Sequence, residues 1–200
     1  MSAFRIIGYN LKSLLTFQGR DSRTTFWTYL GALAVAYFAV SMAFGSIMGG
    51  VMMLDLVRGA ARHGDASEAV MLATIKTRMI WMMRGSLWLG VVLMLVMTVL
   101  LAASFTRRLH DSGKPGWITA LVATLQLVAV AGTIGSMETV TAALEVIDFQ
   151  HPEAFQEQVQ AQRFTLQSLI SWVPLLMVAS FGAFPSNDGD NRYGPEPDDD

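Results

Sequence analysis

Residues 26–54 contain no charged side chain, and an uncharged stretch of that length limits what the chain can fold into. A helix needs about 20 apolar residues to cross the hydrocarbon core of a bilayer, and helices and closed barrels are the structures that satisfy their own backbone there. Three further apolar runs follow, at 85–105, 115–137 and 166–184. Hydrophobic residues make up 52% of the 200 residues and charged residues 15%, where a soluble domain carries about 25% charged. The pattern predicts an all-α, polytopic membrane protein: a four-transmembrane-helix bundle over residues 26–184. The first run exceeds one crossing, so it must tilt, bend or extend past the hydrocarbon, with Gly49-Gly50 as its weak point. It is also longer than the apolar core of a cleavable signal, so no such signal is expected.

Residues 1–25 precede the spans. Phe4, Ile7, Leu11, Leu14 and Leu15 recur at helical spacing, while Arg5, Tyr9, Lys12 and Ser13 fall elsewhere on the wheel. This reads as an amphipathic helix, either lying in the headgroup region or packed on the rest of the protein. Residues 55–84 read as a loop whose second half is helix-prone, and 138–165 as an acidic loop in which Pro152 opens a short helix. Pro174 removes a backbone hydrogen bond and should kink the last span. Residues 185–200 are a polar, acidic tail. With four spans, the N-terminal segment, the 106–114 turn and the tail share one side, with eight basic residues against six opposite. Arginine and lysine nearest the spans set orientation, which places both termini in the cytoplasm.

Within the first span Ser41, Gly45 and Gly49 form a small-xxx-small row, a helix-packing face for a neighbour in the same chain or in a second copy. The many methionines, among them Met52, Met53, Met79, Met82, Met83, Met94 and Met97, lack a common ligand spacing and read as packing. The chain has no cysteine, which removes disulfides, thiolate ligands and a thiol nucleophile. No cofactor or metal is expected. His110 and Asp111 lack further ligands nearby, and His63 and His151 fall in loops on the opposite face. Gly113-Lys114 is not a phosphate-binding loop, because Arg108 stands where its first glycine would be.

The information-rich residues gather at span ends in three motifs. The first is Gly19-Arg20-Asp21-Ser22-Arg23, followed by Phe26-Trp27. The second is Arg107-Arg108-Leu109-His110-Asp111-Ser112-Gly113, with Lys114, Pro115 and Trp117 behind it. The third is Asn191-Arg192-Tyr193-Gly194-Pro195-Glu196-Pro197. In this order they resemble the DUF805 family of bacterial inner-membrane proteins, whose pattern is G-R-x-S-R, an aromatic pair, R-R-L-H-D-x-G-x-x-x-W and a closing N-R-Y-G-P-x-P. The resemblance implies a multi-pass protein of the bacterial inner membrane and brings no defined activity. Compact members have about one span between the tryptophan after R-R-L-H-D and the closing motif. Here two apolar segments and an acidic insert intervene, so the side on which the tail lies stays open.

Two chemical readings fit these motifs. In one, Arg20, Arg23, Arg107, Arg108, Lys114 and Arg192 form a cytoplasmic layer that binds anionic headgroups or a partner protein. Asp111 then pairs with an arginine, His110 hydrogen-bonds the turn, Gly113 supplies a positive φ, Pro115 starts the next helix, and Trp27, Trp117 and Tyr193 anchor at the interface. In the other, the cations gather a phosphorylated ligand around His110, acting as an acid–base group oriented by Asp111. Ser22 and Ser112 are the only motif serines available as nucleophiles. A third class, solute or ion transport by an oligomer, finds no ionisable residue between the ends of any span, where Gln126 is the most polar side chain. The expected function is therefore non-enzymatic, with membrane lipids, a second copy or a membrane protein as partners and no nucleic acid.

Overall fold

The computed structural model describes residues 2–62, 68–145 and 166–197. They form five helices: α1 (Ala3–Lys12), α2 (Arg23–Arg62), α3 (Glu68–Asp111), α4 (Trp117–Glu145) and α5 (Leu166–Ala183). Among the described residues there is no strand beyond a single bridge between Asn191 and Gly194. Helices α2, α3 and α4 each contain a stretch long and apolar enough to cross a membrane, and α5 is a shorter apolar helix.

The helices outrun the uncharged stretches that predict them. α2 has 40 residues and α3 has 44, or about 60 and 66 Å at 1.5 Å per residue. A bilayer core is about 30 Å thick, so both continue beyond it. Most of residues 55–84, read as a loop, is therefore helix. Side chains such as Asp55 and Arg78 end the apolar run without ending the helix, because they fit a helix that has left the hydrocarbon. Glycines 49 and 50 do not break α2 either. Helix α4 likewise runs to Glu145, eight residues into the acidic segment. His63, His151, Pro152 and Arg163 lie outside the described residues.

α3 packs against α2 and α4, and α4 against α5. The core lies in three clusters along this bundle. Nearest the motifs, Phe26, Phe105, Leu109, Ile118, Val122 and Val178 pack together. Beside them Ile6 of α1 meets Tyr29 and Leu33, with Met97 against them. Further along, Val91, Val130 and Met137 form the third, with Met94 against it. Gly182 lets α5 approach α2, since a Cβ there would stand 2.5 Å from Cε1 of Phe26. Pro174 lies inside α5 and is buried.

The face of α1 that docks on the bundle is Ile6 and Asn10, while Phe4, Leu11 and the following Leu15 stay exposed. The small-residue row of α2 is open: a Cβ at Gly45 or Gly49 would meet nothing within 4 Å. The close contact of α2 with α3 falls instead where Phe44 lies on Gly85.

Candidate functional site

All three motifs meet at one end of the bundle. The α3–α4 turn carries the centre. α3 stops at Gly113, whose φ of 69° closes the helix with Gly113 N–H on the His110 carbonyl and Lys114 N–H on that of Leu109. That pair of reversed bonds is the glycine-dependent helix stop expected where an αL residue follows the last turn. Ile118 N–H then bonds the Pro115 carbonyl as α4 begins. Upstream, Gly19 turns the chain at φ 96°, and Ser22 caps α2 by accepting the Thr25 N–H at 3.3 Å.

Arg107 and Arg108 are the largest fully buried side chains. A buried charge is tolerated only with an opposite charge and a full set of hydrogen bonds. Arg107 donates through Nε to Asp21 at 2.9 Å. Its other nitrogens reach the Ser13 and Thr16 carbonyls and Asn10 Oδ1 at 2.7 Å. Asp21 also accepts from Ser104 at 2.9 Å and from the Tyr9 hydroxyl at 3.3 Å. Burial, with Asp21 beside it, pushes the Tyr9 hydroxyl up, so it stays a donor.

Arg108 forms the second half of the network. It pairs with Asp111 one turn away and donates to the Gly182 and Phe184 carbonyls and to Ser186 Oγ. The other Asp111 oxygen takes Arg20, Nε at 3.1 Å. Arg20 in turn holds the tail through the Asn187 carbonyl at 2.6 Å and the Gly189 carbonyl at 2.6 Å. Asp111 and Asp21 thus pair with three buried arginines, and backbone carbonyls take the remaining N–H groups of the one excess positive charge.

The tail motif is a tight turn. Asn191 and Gly194 exchange backbone bonds, Asn191 Oδ1 accepts the Tyr193 N–H at 2.8 Å, and Gly194 adopts φ 142°. Asn191 Nδ2 donates to the His110 carbonyl at 3.0 Å, and the Tyr193 ring stacks on the His110 imidazole, centroids 3.8 Å apart and 5° from parallel. A family model, described as a protein of unknown function (DUF805), matches residues 14–195. The chain belongs to the DUF805 family. No curated protein and no solved structure matches it. In this DUF805 chain the motif glycines make the turns, the three buried arginines pair with two aspartates and with backbone carbonyls, and the Asn-Arg-Tyr-Gly turn covers the histidine.

The geometry reassigns several expected site residues. Arg20, Arg107 and Arg108 are buried, and every guanidinium nitrogen already donates to a protein acceptor, so they tie the chain together rather than face lipid. Arg23, Lys114 and Arg192 are exposed. Arg23 Nε reaches the Phe184 carbonyl at 3.2 Å, Lys114 lies over the Phe184 ring, and Arg192 over the Tyr193 ring. Trp27 and Trp117 are exposed beside this layer, but Tyr193 is a lid on His110 instead of an interfacial anchor. The catalytic pair does not form: His110 Nδ1 faces the Gly19 carbonyl at 3.3 Å, and both Asp111 oxygens are held by arginines. Ser112 Oγ donates to the Arg108 carbonyl and Ser22 Oγ to Thr25, so neither serine meets His110. Asn10, Asp21 and Ser104 complete the site without being marked by any motif role in the sequence. Each left a signal: Asn10 is a polar position on an amphipathic helix, Asp21 is the one acid of the first 25 residues, and Ser104 closes an apolar run.

Proposed function

We propose that this protein is a non-enzymatic, four-span protein of the bacterial inner membrane. Its motif layer is an internal lock whose outer rim binds anionic lipid or a partner protein at the cytoplasmic face. One observation carries the reading: the arginines divide into a buried, saturated set and an exposed set around it. Arg23, Lys114 and Arg192 are the cations left for phosphate, and Trp27 and Trp117 stand beside them for an interface. The exposed Phe4, Leu11 and Leu15 support α1 as an interfacial amphipathic helix, docked through Ile6 and with its apolar side toward the headgroup boundary. Because α3 and α4 are antiparallel neighbours and the tail meets the α3–α4 turn, an even number of crossings suits the convergence of all three motifs.

Lipid retention tests the rim. Neutralising Arg23, Lys114 and Arg192 to glutamine is expected to lower co-purified anionic lipid several-fold, each cation near an anionic surface being worth about 1 kcal/mol. Retention equal to the parent protein in a folded triple variant would remove the lipid reading. Topology is tested separately, since the chain has no native cysteine. Single cysteines at Lys12, Lys114 and Glu196 are expected to label from the cytoplasm, and those at Arg58 and Glu138 from the opposite side.

A further inference from the structure

At the other end of α3 lies a second cluster that the motif layer does not use. Thr77, Ile80, Trp81, Arg84, Gly85 and Trp88 line a cavity of about 520 Å³. Their spacing is one stripe of a single helix, three and four residues apart. Phe44 of α2 lies against Gly85, where an added Cβ would stand 3.0 Å from its Cζ. The two indoles are largely outside, Trp81 73% and Trp88 53% exposed. Arg84 sits between them, is exposed, and has no ion-pair or hydrogen-bond partner among the described residues. Arg78, two turns earlier, is already paired with Asp55 at 2.7 Å.

Depth along the helix gives the groove its meaning. α3 is continuous from Arg84 to Arg107, so the two lie about 35 Å apart at 1.5 Å per residue. The hydrocarbon core is about 30 Å thick. If the motif layer lies at one bilayer surface, Arg84 falls at the phosphate level of the other. Trp88, about 28 Å from Arg107, then lies at the hydrocarbon edge. An unpartnered guanidinium matches phosphate, and indole presents an apolar face to acyl chain with an N–H for an ester carbonyl. We propose that this groove is a binding site for an anionic phospholipid, its phosphate on Arg84 and its acyl chain along Trp88. The proposal rests on the membrane placement of the motif layer and not on lipid at the rim.

The test uses the full chain with Trp27, Trp117 and Trp172 changed to Phe, leaving Trp81 and Trp88. It is reconstituted with a small fraction of acyl-brominated phosphatidylglycerol or phosphatidylcholine. Quenching is expected to favour phosphatidylglycerol by about fivefold in apparent affinity, the preference one cation supplies near lipid phosphate. Arg84→Gln should abolish the preference and Arg84→Lys should keep most of it. Equal quenching by both lipids with Arg84 present would overturn the site while leaving the membrane placement standing. A preference that survives Arg84→Gln would also overturn it. Loss of the preference on adding inorganic phosphate would assign the groove to a soluble anion and end the lipid proposal. Quenching by neither lipid would remove the placement and the site together.

Discussion

Two ends of the same helix treat arginine in opposite ways. At the C-terminal end of α3, Arg107 and Arg108 are sealed and matched with carboxylates that are themselves sealed, with side-chain exposures of 1% or less. Toward its start, Arg78 pairs with Asp55 at 46% and 25% exposure, and Arg84 has no partner among the described residues. The distance in the Arg78–Asp55 pair, 2.7 Å, is as short as in the buried pairs. Water makes the difference. A sealed ion pair stripped of one partner leaves a charge with nowhere to go, whereas an exposed one returns to solvent. The contrast teaches that cation density at a span end does not by itself mark a lipid surface. The acceptors around each guanidinium decide.

The comparison can be broken most decisively at Asp111. Changing it to Ala strands Arg20 and Arg108, and an unfolding free energy lower by about 3–5 kcal/mol is expected in denaturant titration of the purified protein. A loss below 1 kcal/mol would mean that water reaches this layer after all. Next in size is Gly182→Val, where the added side chain runs into Phe26; overpacking should cost about 1–3 kcal/mol. Phe26→Leu in the same chain should recover part of it, and absence of recovery would argue against that contact. Tyr193→Ala removes the ring on His110 and should cost about 0.5–1.5 kcal/mol. Its local signature is faster proteolysis of the tail at unchanged helix content. The smallest change belongs to the far end: Asp55→Asn should cost about 0–1 kcal/mol, and raised salt should shrink even that. An Asp55 effect as large as that of Asp111 would erase the distinction between the two ends.

The stop of α3 and the start of α4 are readable because each depends on neighbours in sequence, whereas the far ends of α2, α3 and α4 are not, since charged residues end an apolar run without ending a helix. Gly113 takes its positive φ and α4 begins just after Pro115, as local backbone sterics require. The register of partners was not readable. The density of cations at the span end points Arg107 toward lipid or a partner protein, and nothing local says that it meets Asp21, 86 residues away. That Asp111 pairs with an arginine is legible from the motif; which arginines it takes, Arg108 one turn back and Arg20 of a distant loop, is not. Nothing local decides whether the Gly45–Gly49 row meets a helix of the same chain or of a second copy, and among the described residues no side chain lies on it.

By itself, then, the amino-acid order determined that the chain is helical, that it has apolar stretches of membrane-crossing length, that it carries the family's three motifs, and where the α3–α4 turn falls. These follow from hydrophobic periodicity and backbone sterics, which act over a few residues. Only the tertiary structure decided that the three motifs converge, which arginines are buried, and which stay exposed. Burial and pairing are set by residues a hundred positions apart, and the free energy of a charge depends on that environment.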